Sequence, residues 1–143
     1  MTVVASKYAR KENDLYQTEP WCTEAFLRFF PMDGKHVWEP SAGNHLMADV
    51  LRENGAKVVC TDIERYDRDH DAILDFFKCE DDPWDAPSYC DFPDAIVTNP
   101  PYGKQNRLAV RYAHLALKLC PGIVALLLTA KFDFGKTRTD LFR

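Results

Sequence analysis

The sequence has few of the features that mark a secreted or metal-binding protein. Its five cysteines are an odd number, are scattered along the chain and include no CxxC pair: Cys22, Cys60, Cys79, Cys90 and Cys120. This pattern is not typical of a disulfide framework and favours a reduced compartment. The four histidines show neither HxxxH nor mixed Cys/His ligand spacing, so we expect no metal site.

Long apolar segments are also missing. The longest aliphatic run, Ile123 to Leu128, is far shorter than the ~20 residues of a membrane-spanning helix, and the polar start of the chain lacks the apolar region of a signal peptide. With 143 residues, 46% of them hydrophobic, the chain is long enough for one core. We expect a soluble, cytoplasmic protein with a single domain over 1–143: a flexible arm at 1–15, a helical segment at 16–34 and a sheet core at 35–143.

Positive charge is not in excess. The net charge of −4 disfavours broad, nonspecific adhesion to phosphate backbones. It leaves room for a local basic groove.

Strand-like and helix-like segments alternate along the chain. A helix is predicted to begin near Pro20 and to end before Gly34, and its apolar face is predicted to be Ala25, Phe26, Phe29 and Phe30. Further helices are predicted after residue 44 and over 104–119, the latter facing inward through Leu108, Tyr112, Leu115 and Leu119. Strands are predicted at 36–38, 56–61, 72–74, 95–98 and 123–129. Alternation of this kind indicates an α/β fold with a mostly parallel sheet and helices on both faces.

Unusual residues follow the first, second and fourth of the predicted strands, and a further candidate pair follows the third. Sheets of this type bind ligands at the carboxyl ends of their strands, so a site is expected there. The first strand runs into EPSAGN, whose backbone N–H groups at a helix start suit an anionic group, although an ordinary turn would look the same. The candidate binding residues in this loop are Glu39, Pro40, Ser41, Ala42 and Gly43.

Two acidic positions follow the next strands. Asp62, beside Ile63, ends the second strand, where a carboxylate can accept hydrogen bonds from both hydroxyls of a ribose. Asp75 and Phe76 follow the third strand and could contact an adenine through its amino group and its ring face. Asp62 could instead be a helix cap or a surface acid. Asp75 and Phe76 could instead be an ordinary strand end with a core phenylalanine.

The fourth strand ends in TNPPYG. Two consecutive prolines cannot extend a central strand, so they form a stiff exit that holds Asn99 at the strand's carboxyl end. The side-chain carbonyl of Asn99 and the backbone carbonyl of Pro100 can together accept both hydrogens of one planar NH2 group. Pro101 helps to fix these acceptors, and Tyr102 offers a face on which a planar substrate can stack.

The sequence Asn99-Pro100-Pro101-Tyr102 closely matches the (D/N/S)PP(Y/F) motif of amino-methyltransferases that use S-adenosylmethionine. The segment 38–43 resembles the cofactor loop of that family, Asp62 its ribose acid, and Asp75-Phe76 its adenine-side pair. The order of the motifs resembles that of adenine-N6 DNA methyltransferases, most of all the small phage and prophage members.

The resemblance continues ahead of the first strand and covers nearly the whole chain from about residue 14. Residues 16–21, with Tyr16 and Thr18, resemble the segment that covers the methionine end of the cofactor. The resemblance implies a Rossmann-like sheet of order 3-2-1-4-5, S-adenosyl-L-methionine as cofactor, DNA as partner and N6-methyladenine as product. In that family the target base is flipped into the pocket and held by the residues that correspond to Asn99, Pro100 and Tyr102.

Two departures from the family pattern have consequences. His45 stands where a second glycine is usual, and its side chain either crowds the methionine moiety or points away from it. The chain ends where the family continues with an antiparallel strand pair. We therefore expect the fifth strand to be an exposed apolar edge. Either a second copy or a partner chain covers this edge, or the protein is a truncated remnant.

Two other functions remain open. A protein glutamine-N5 methyltransferase also uses NPPY, because it too attacks through a planar amide nitrogen. A non-catalytic binding or scaffold subunit is the third hypothesis, on account of His45 and the short carboxyl terminus.

Overall fold

A computed structural model describes residues 17–82 and 93–142 of the chain. Its five strands are β1 (His36–Glu39), β2 (Lys57–Asp62), β3 (Ala72–Ile73), β4 (Ala95–Thr98) and β5 (Ile123–Leu126). They form one sheet in the order β3-β2-β1-β4-β5, and every pairing between them is parallel. The predicted α/β class and strand order are therefore confirmed.

Three α-helices accompany the sheet: α1 (Pro20–Phe29), α2 (Leu46–Glu53) and α3 (Arg107–Leu119). Short 3-10 segments cover Phe76–Glu80, Lys104–Asn106, Phe132–Phe134 and Lys136–Phe142. The helix predicted over 104–119 begins later than expected, because Gln105 and Asn106 have left-handed backbone angles that interrupt it. Its carboxyl end lies at Leu119, just ahead of Pro121.

The core lies on both faces of the sheet, because neighbouring residues of a strand point to opposite sides. On one face, Trp38 of β1 and Ile96 of β4 pack with α3 through Tyr112 and Leu115. On the other face, Val37 of β1 and Val97 of β4 pack with Met47 and Leu51 of α2. The α1 region contributes Met32, which follows the helix, and Phe26 and Leu27 of the helix itself. Both faces are thus covered by helices, as predicted.

Two details of the predicted helix faces are wrong. Phe29 and Phe30 of the α1 segment are 79% and 51% exposed, whereas Phe26 packs into the core. Leu108 of α3 is 37% exposed and lies at the rim of a cavity rather than in the core. Helical spacing identifies the residues that share a face, but the packing of the helix on its neighbours decides how much of that face is covered.

Strand β5 lies at one end of the strand order. All four of its residues are half-buried, and β4 is its only partner within the described parts of the chain. None of the helices described there is long and apolar enough to cross a membrane.

Candidate active site

One cavity of about 540 Å³ opens at the carboxyl edge of the sheet. It is lined by most of the residues that the sequence singled out: Thr18, Glu39, Pro40, Ser41, Ala42, Gly43, Asp62, Ile63, Asp75, Phe76, Asn99 and Pro101. Residues from the ends of four neighbouring strands meet there, which is the expected position for a ligand in a parallel α/β sheet.

The loop after β1 is fastened to the end of β2. The amide of Ala42 donates to the carbonyl of Thr61 at 3.0 Å, and the amide of Gly43 donates to the Asp62 carboxylate at 2.8 Å. Gly43 has a φ of 51°, a left-handed angle that glycine adopts readily. The loop therefore has a fixed shape, with Asp62 held against its backbone.

Glu39 is the most unusual charged residue of the cavity wall. It is 2% exposed, and one of its carboxylate oxygens has no hydrogen-bond partner among the residues described. Burial raises the pKa of Glu39 well above its ordinary value, and the nearby negative charge of Asp62 raises it further. A cationic group that entered the cavity beside Glu39 would relieve both effects.

Asp62 is buried but well supplied with donors. Its two carboxylate oxygens accept from the amides of Gly43 (2.8 Å) and Ile63 (2.7 Å). Burial raises the pKa of Asp62, and these backbone hydrogen bonds oppose the rise. Each carboxylate oxygen accepts at more than one position, so ligand hydroxyls can still donate to it.

Asp75 and Phe76, which follow β3, form another part of the cavity wall. Asp75 accepts from the amide of Phe77 at 3.0 Å and so fixes the start of the following 3-10 segment. The ring of Phe76 packs against Tyr112, with ring centroids 4.2 Å apart, and edge-on against Trp38. Phe76 is thus a core residue that also lines the cavity, and its contact with an adenine stays a prediction.

The amide of Asn99 is held on both of its sides. Its nitrogen donates to the hydroxyl of Thr18 at 3.2 Å, and its oxygen accepts from the hydroxyl of Tyr102 at 3.2 Å. The Tyr102 hydroxyl also lies 3.1 Å from the carbonyl oxygen of Leu127, to which it can donate instead. Pro101 lines the cavity, whereas Pro100 is buried and Tyr102 is half-buried outside the lining.

His45 points away from the cavity. Its Nε2 lies 2.9 Å from Nδ1 of His70, and the two rings are stacked with centroids 5.1 Å apart. His45 is 4% exposed and does not line the cavity. Of the two orientations that the sequence left open, the structure has the one that leaves the cavity clear.

Several lining residues were not predicted from the sequence: Gln17, Leu46, Met47, Tyr66, Leu74, Phe77, Gly103, Lys104, Leu108 and Tyr112. Tyr112 was assigned to the core face of α3, and its hydroxyl, 2.8 Å from that of Ser41, reaches the cavity wall. The need of a buried phenol for a hydrogen-bond partner was the signal that could have found it. Tyr66 falls in a charged segment that resembled an ordinary surface loop, so no sequence signal marked it.

Some predicted positions fall outside the part of the chain that the structure covers. Tyr16, proposed as a cofactor contact, and the arm at 1–15 are among them. Within 17–82 and 93–142, no group of three His, Cys, Asp or Glu side chains is arranged to hold a metal ion.

Comparison with known proteins identifies the fold. The chain is similar to the crystal structure of a proposed RNA methyltransferase from Pyrococcus horikoshii, with a TM-score of 0.64 and 16% sequence identity over 85% of this chain and 67% of that one. At this identity the likeness establishes the fold alone: the chain has a Rossmann-like methyltransferase fold. No protein-family model matches the sequence, and no curated protein matches it.

Proposed function

We propose that the chain transfers a methyl group from S-adenosyl-L-methionine to the exocyclic amino nitrogen of adenine in DNA. The observation that carries the proposal is the position of Asn99. A side-chain amide at the carboxyl end of β4 shares one cavity with three acidic residues, Glu39, Asp62 and Asp75. The fold, which a proposed RNA methyltransferase shares, supports methyl transfer as the reaction class.

The acidic residues fit the cofactor. S-adenosylmethionine, when bound, supplies an electrophilic methyl group on a positively charged sulfur. The unpaired oxygen of Glu39 suits its ammonium group, because an opposite charge stabilises a buried carboxylate. Asp62 suits the ribose hydroxyls, and Asp75 with Phe76 suits the adenine amino group and ring. The cavity of about 540 Å³ is within the range of small-molecule sites.

Asn99 fits the acceptor. Its side-chain oxygen and the carbonyl of Pro100 would accept both hydrogens of the target NH2 group. Hydrogen bonds of this geometry favour a pyramidal nitrogen, whose lone pair leaves the conjugation of the ring and becomes nucleophilic. The two prolines hold the acceptors in place before the substrate arrives, so little reorganisation is needed.

Proton transfer needs no dedicated base in this scheme. Asn99 and Pro100 would hold the amino nitrogen for the methyl group that the cofactor supplies, with S-adenosylhomocysteine as the leaving group. The nitrogen would become acidic only once it carries the methyl group, and its proton would then leave to water.

The alternative acceptor is a glutamine side chain in a protein, which also presents a planar NH2 group to Asn99. The charge distribution around the cavity, described below, favours a nucleic acid. A non-catalytic binding subunit is the third proposal. One of its two supporting arguments was that His45 would crowd the cofactor, and this argument is weakened because His45 does not line the cavity.

A labelling experiment separates these functions. The chain is incubated with S-adenosylmethionine labelled on its methyl group and, in separate reactions, with duplex DNA, single-stranded DNA, RNA and an unfolded protein mixture. Digestion and mass spectrometry of the products should give labelled N6-methyladenine from DNA. Label in N5-methylglutamine would assign the alternative, and label in RNA adenine would move the substrate to RNA. Cofactor binding by calorimetry without label in any acceptor would favour the binding subunit.

A further inference from the structure

Charge is unevenly distributed along this acidic chain. Residues 100–143 contain eight Lys or Arg residues and only two acidic ones, Asp133 and Asp140. The remaining 99 residues have ten basic and twenty acidic side chains. The part of the chain after β4 is therefore strongly positive, although the whole has a net charge of −4.

Three of these eight basic residues have partners within the fold. Arg111 forms a salt bridge with Glu80, and Lys118 approaches the Glu80 carbonyl at 3.5 Å. Arg138 donates to the carbonyl of Phe132 and stacks on its ring. These side chains stabilise the fold, and Arg143 lies beyond the described residues.

The other four basic residues are exposed: Lys104, Arg107, Lys131 and Lys136. In the described parts of the chain, no carboxylate lies within salt-bridge distance of any of them. Four cations in two short segments, none of them paired with a carboxylate of residues 17–82 or 93–142, attract polyanions.

The topology starts the two segments that carry these residues at one edge of the sheet. Lys104 and Arg107 follow the carboxyl end of β4, and Lys131 and Lys136 follow that of β5. The two strands are parallel neighbours, so both segments leave the sheet on the side where the cavity opens. Lys104 itself lines the cavity, which connects the charged surface to the site of Asn99.

An aromatic residue stands between the two lysines of the second segment. Phe134 is 78% exposed and lies between Lys131 and Lys136 in the sequence. An exposed ring among cations is the combination that binds a nucleic-acid strand, because the cations take the phosphates and an unpaired base stacks on the ring. A partner protein rich in acidic residues would use the cations but would gain less from the ring.

We propose that Lys104, Arg107, Lys131 and Lys136 bind the phosphates of the nucleic-acid strand that carries the target base, and that Phe134 stacks on a base of that strand. This proposal rests on the proposed function, since it names the surface that delivers the substrate to Asn99. It also assigns substrate binding to the catalytic domain itself.

Fluorescence anisotropy with labelled single-stranded and duplex DNA tests the surface. In the variant with Lys104→Gln, Arg107→Gln, Lys131→Gln and Lys136→Gln, affinity should fall by about one to two orders of magnitude near 0.1 M salt. The slope of log affinity against log salt should become shallower by about one for each phosphate that the variant no longer binds. Phe134→Ala should weaken single-strand binding several-fold, and Asp133→Asn, which removes a negative charge from the same segment, should tighten binding.

A matched control uses basic residues at the opposite edge of the sheet. Lys35 and Lys57 stand at the amino ends of β1 and β2, and Lys35→Gln with Lys57→Gln should leave both affinity and salt slope unchanged. All substituted side chains are exposed, so unfolding midpoints should match the wild type within a few degrees. Equal losses in the control and the test variant, or no loss in either, would overturn the proposed surface.

Binding and methyl transfer are measured separately, so the two proposals fail in different ways. If the protein methylates DNA but its affinity for DNA is unchanged by all four substitutions, the proposed binding surface is wrong and the proposed function stands. Binding that depends on them, without methylation of any acceptor, would support the surface and overturn the function. Equal dependence with RNA would retain the surface and change the polymer.

Discussion

The amide nitrogen of Asn99 donates to the hydroxyl of Thr18 across 3.2 Å, although 81 positions separate the two residues in the sequence. This contact fixes which end of the amide faces Thr18 and leaves the oxygen on the side of Tyr102. Thr18, chosen from the sequence as a cofactor contact, therefore also positions the proposed acceptor of the target amino group. The two roles make different predictions.

Thr18→Val removes the hydroxyl while keeping the shape of the side chain. If Thr18 orients Asn99, kcat should fall about fivefold, which corresponds to a hydrogen bond of ~1 kcal/mol. The affinity for S-adenosylmethionine should then change little, and Thr18→Ser should restore kcat. Steady-state kinetics and calorimetry on the three proteins measure both quantities. A loss confined to cofactor affinity would assign Thr18 to the cofactor alone.

Asn99→Ala removes both the oxygen and the nitrogen of the proposed catalytic amide. Methyl transfer should be abolished, because the target nitrogen loses one of its two acceptors, while cofactor affinity should remain nearly intact. Asn99→Asp keeps an acceptor at the same place and should retain more activity than Asn99→Ala. Calorimetry with the cofactor and labelled transfer to DNA test this, and parallel loss of both functions would contradict the catalytic role.

Glu39→Gln should change stability and cofactor affinity in opposite directions. In the ligand-free protein the substitution removes a buried carboxyl group that has an unpaired oxygen and whose ionisation is disfavoured by burial, so the free energy of unfolding should rise by about 1 kcal/mol near neutral pH. Cofactor affinity should fall about tenfold or more, because a charge-assisted hydrogen bond to the ammonium group is removed. Thermal unfolding and calorimetry give the two values, and a fall in both would contradict this assignment.

The same residue predicts a pH dependence. Burial raises the folded pKa of Glu39, so the folded protein keeps this proton over a range in which the unfolded chain has released it. The contribution of Glu39 to stability is therefore complete below pH 4.5 and is lost as the pH rises toward the folded pKa. Unfolding curves of wild type and Glu39→Gln should diverge with increasing pH, and parallel curves would contradict the shift.

The framework of the fold could be predicted because it depends on local patterns. The four residues of β4 are all buried, and each is apolar or β-branched. The strand ends at Thr98, two residues before Pro100, which cannot donate a hydrogen bond to a neighbouring strand. The candidate residues that follow β1, β2, β3 and β4 therefore lie in the cavity wall. The strand order itself came from the family resemblance, since local patterns do not specify which strands pair.

Contacts between distant segments could not be predicted. The loop after β2 looked like a charged surface loop, yet Tyr66 lines the cavity because Asp71 ties the loop back to the sheet. The Asp71 carboxylate accepts from the amide of Cys60 at 2.8 Å, and its own amide donates to the Cys60 carbonyl. The pairing of Thr18 with Asn99 likewise depends on how α1 enters the fold, for which the sequence has no local signal.

His45 predicts a second pH effect, of opposite sign. The guanidinium of Arg52 carries only donors, so it donates to Nδ1 of His45. Nε2 of His45 then donates to Nδ1 of His70, and Nε2 of His70 donates to the Glu64 carbonyl. This chain requires the imidazole of His45 to be neutral. Burial, followed by the charges of His70, Arg52 and Arg68, lowers the pKa of His45 from 6.5, and only Asp49 opposes them.

Because the folded pKa of His45 is depressed, its contribution to stability is present above pH 6.5 and is lost as the pH falls toward the folded pKa. Between about pH 7 and pH 5 the unfolding midpoint of the wild type should therefore fall relative to that of His45→Asn, whatever Glu39 contributes to both proteins. Asparagine is chosen because it tolerates the left-handed φ of 65° at this position. His36→Asn, at an exposed position in β1, is the matched control and should follow the wild type. His45 and His70 hold the loop that carries Tyr66, so cofactor affinity should weaken over the same pH range. A cofactor affinity that does not change with pH would show that the histidine pair stabilises the fold without acting on the cavity.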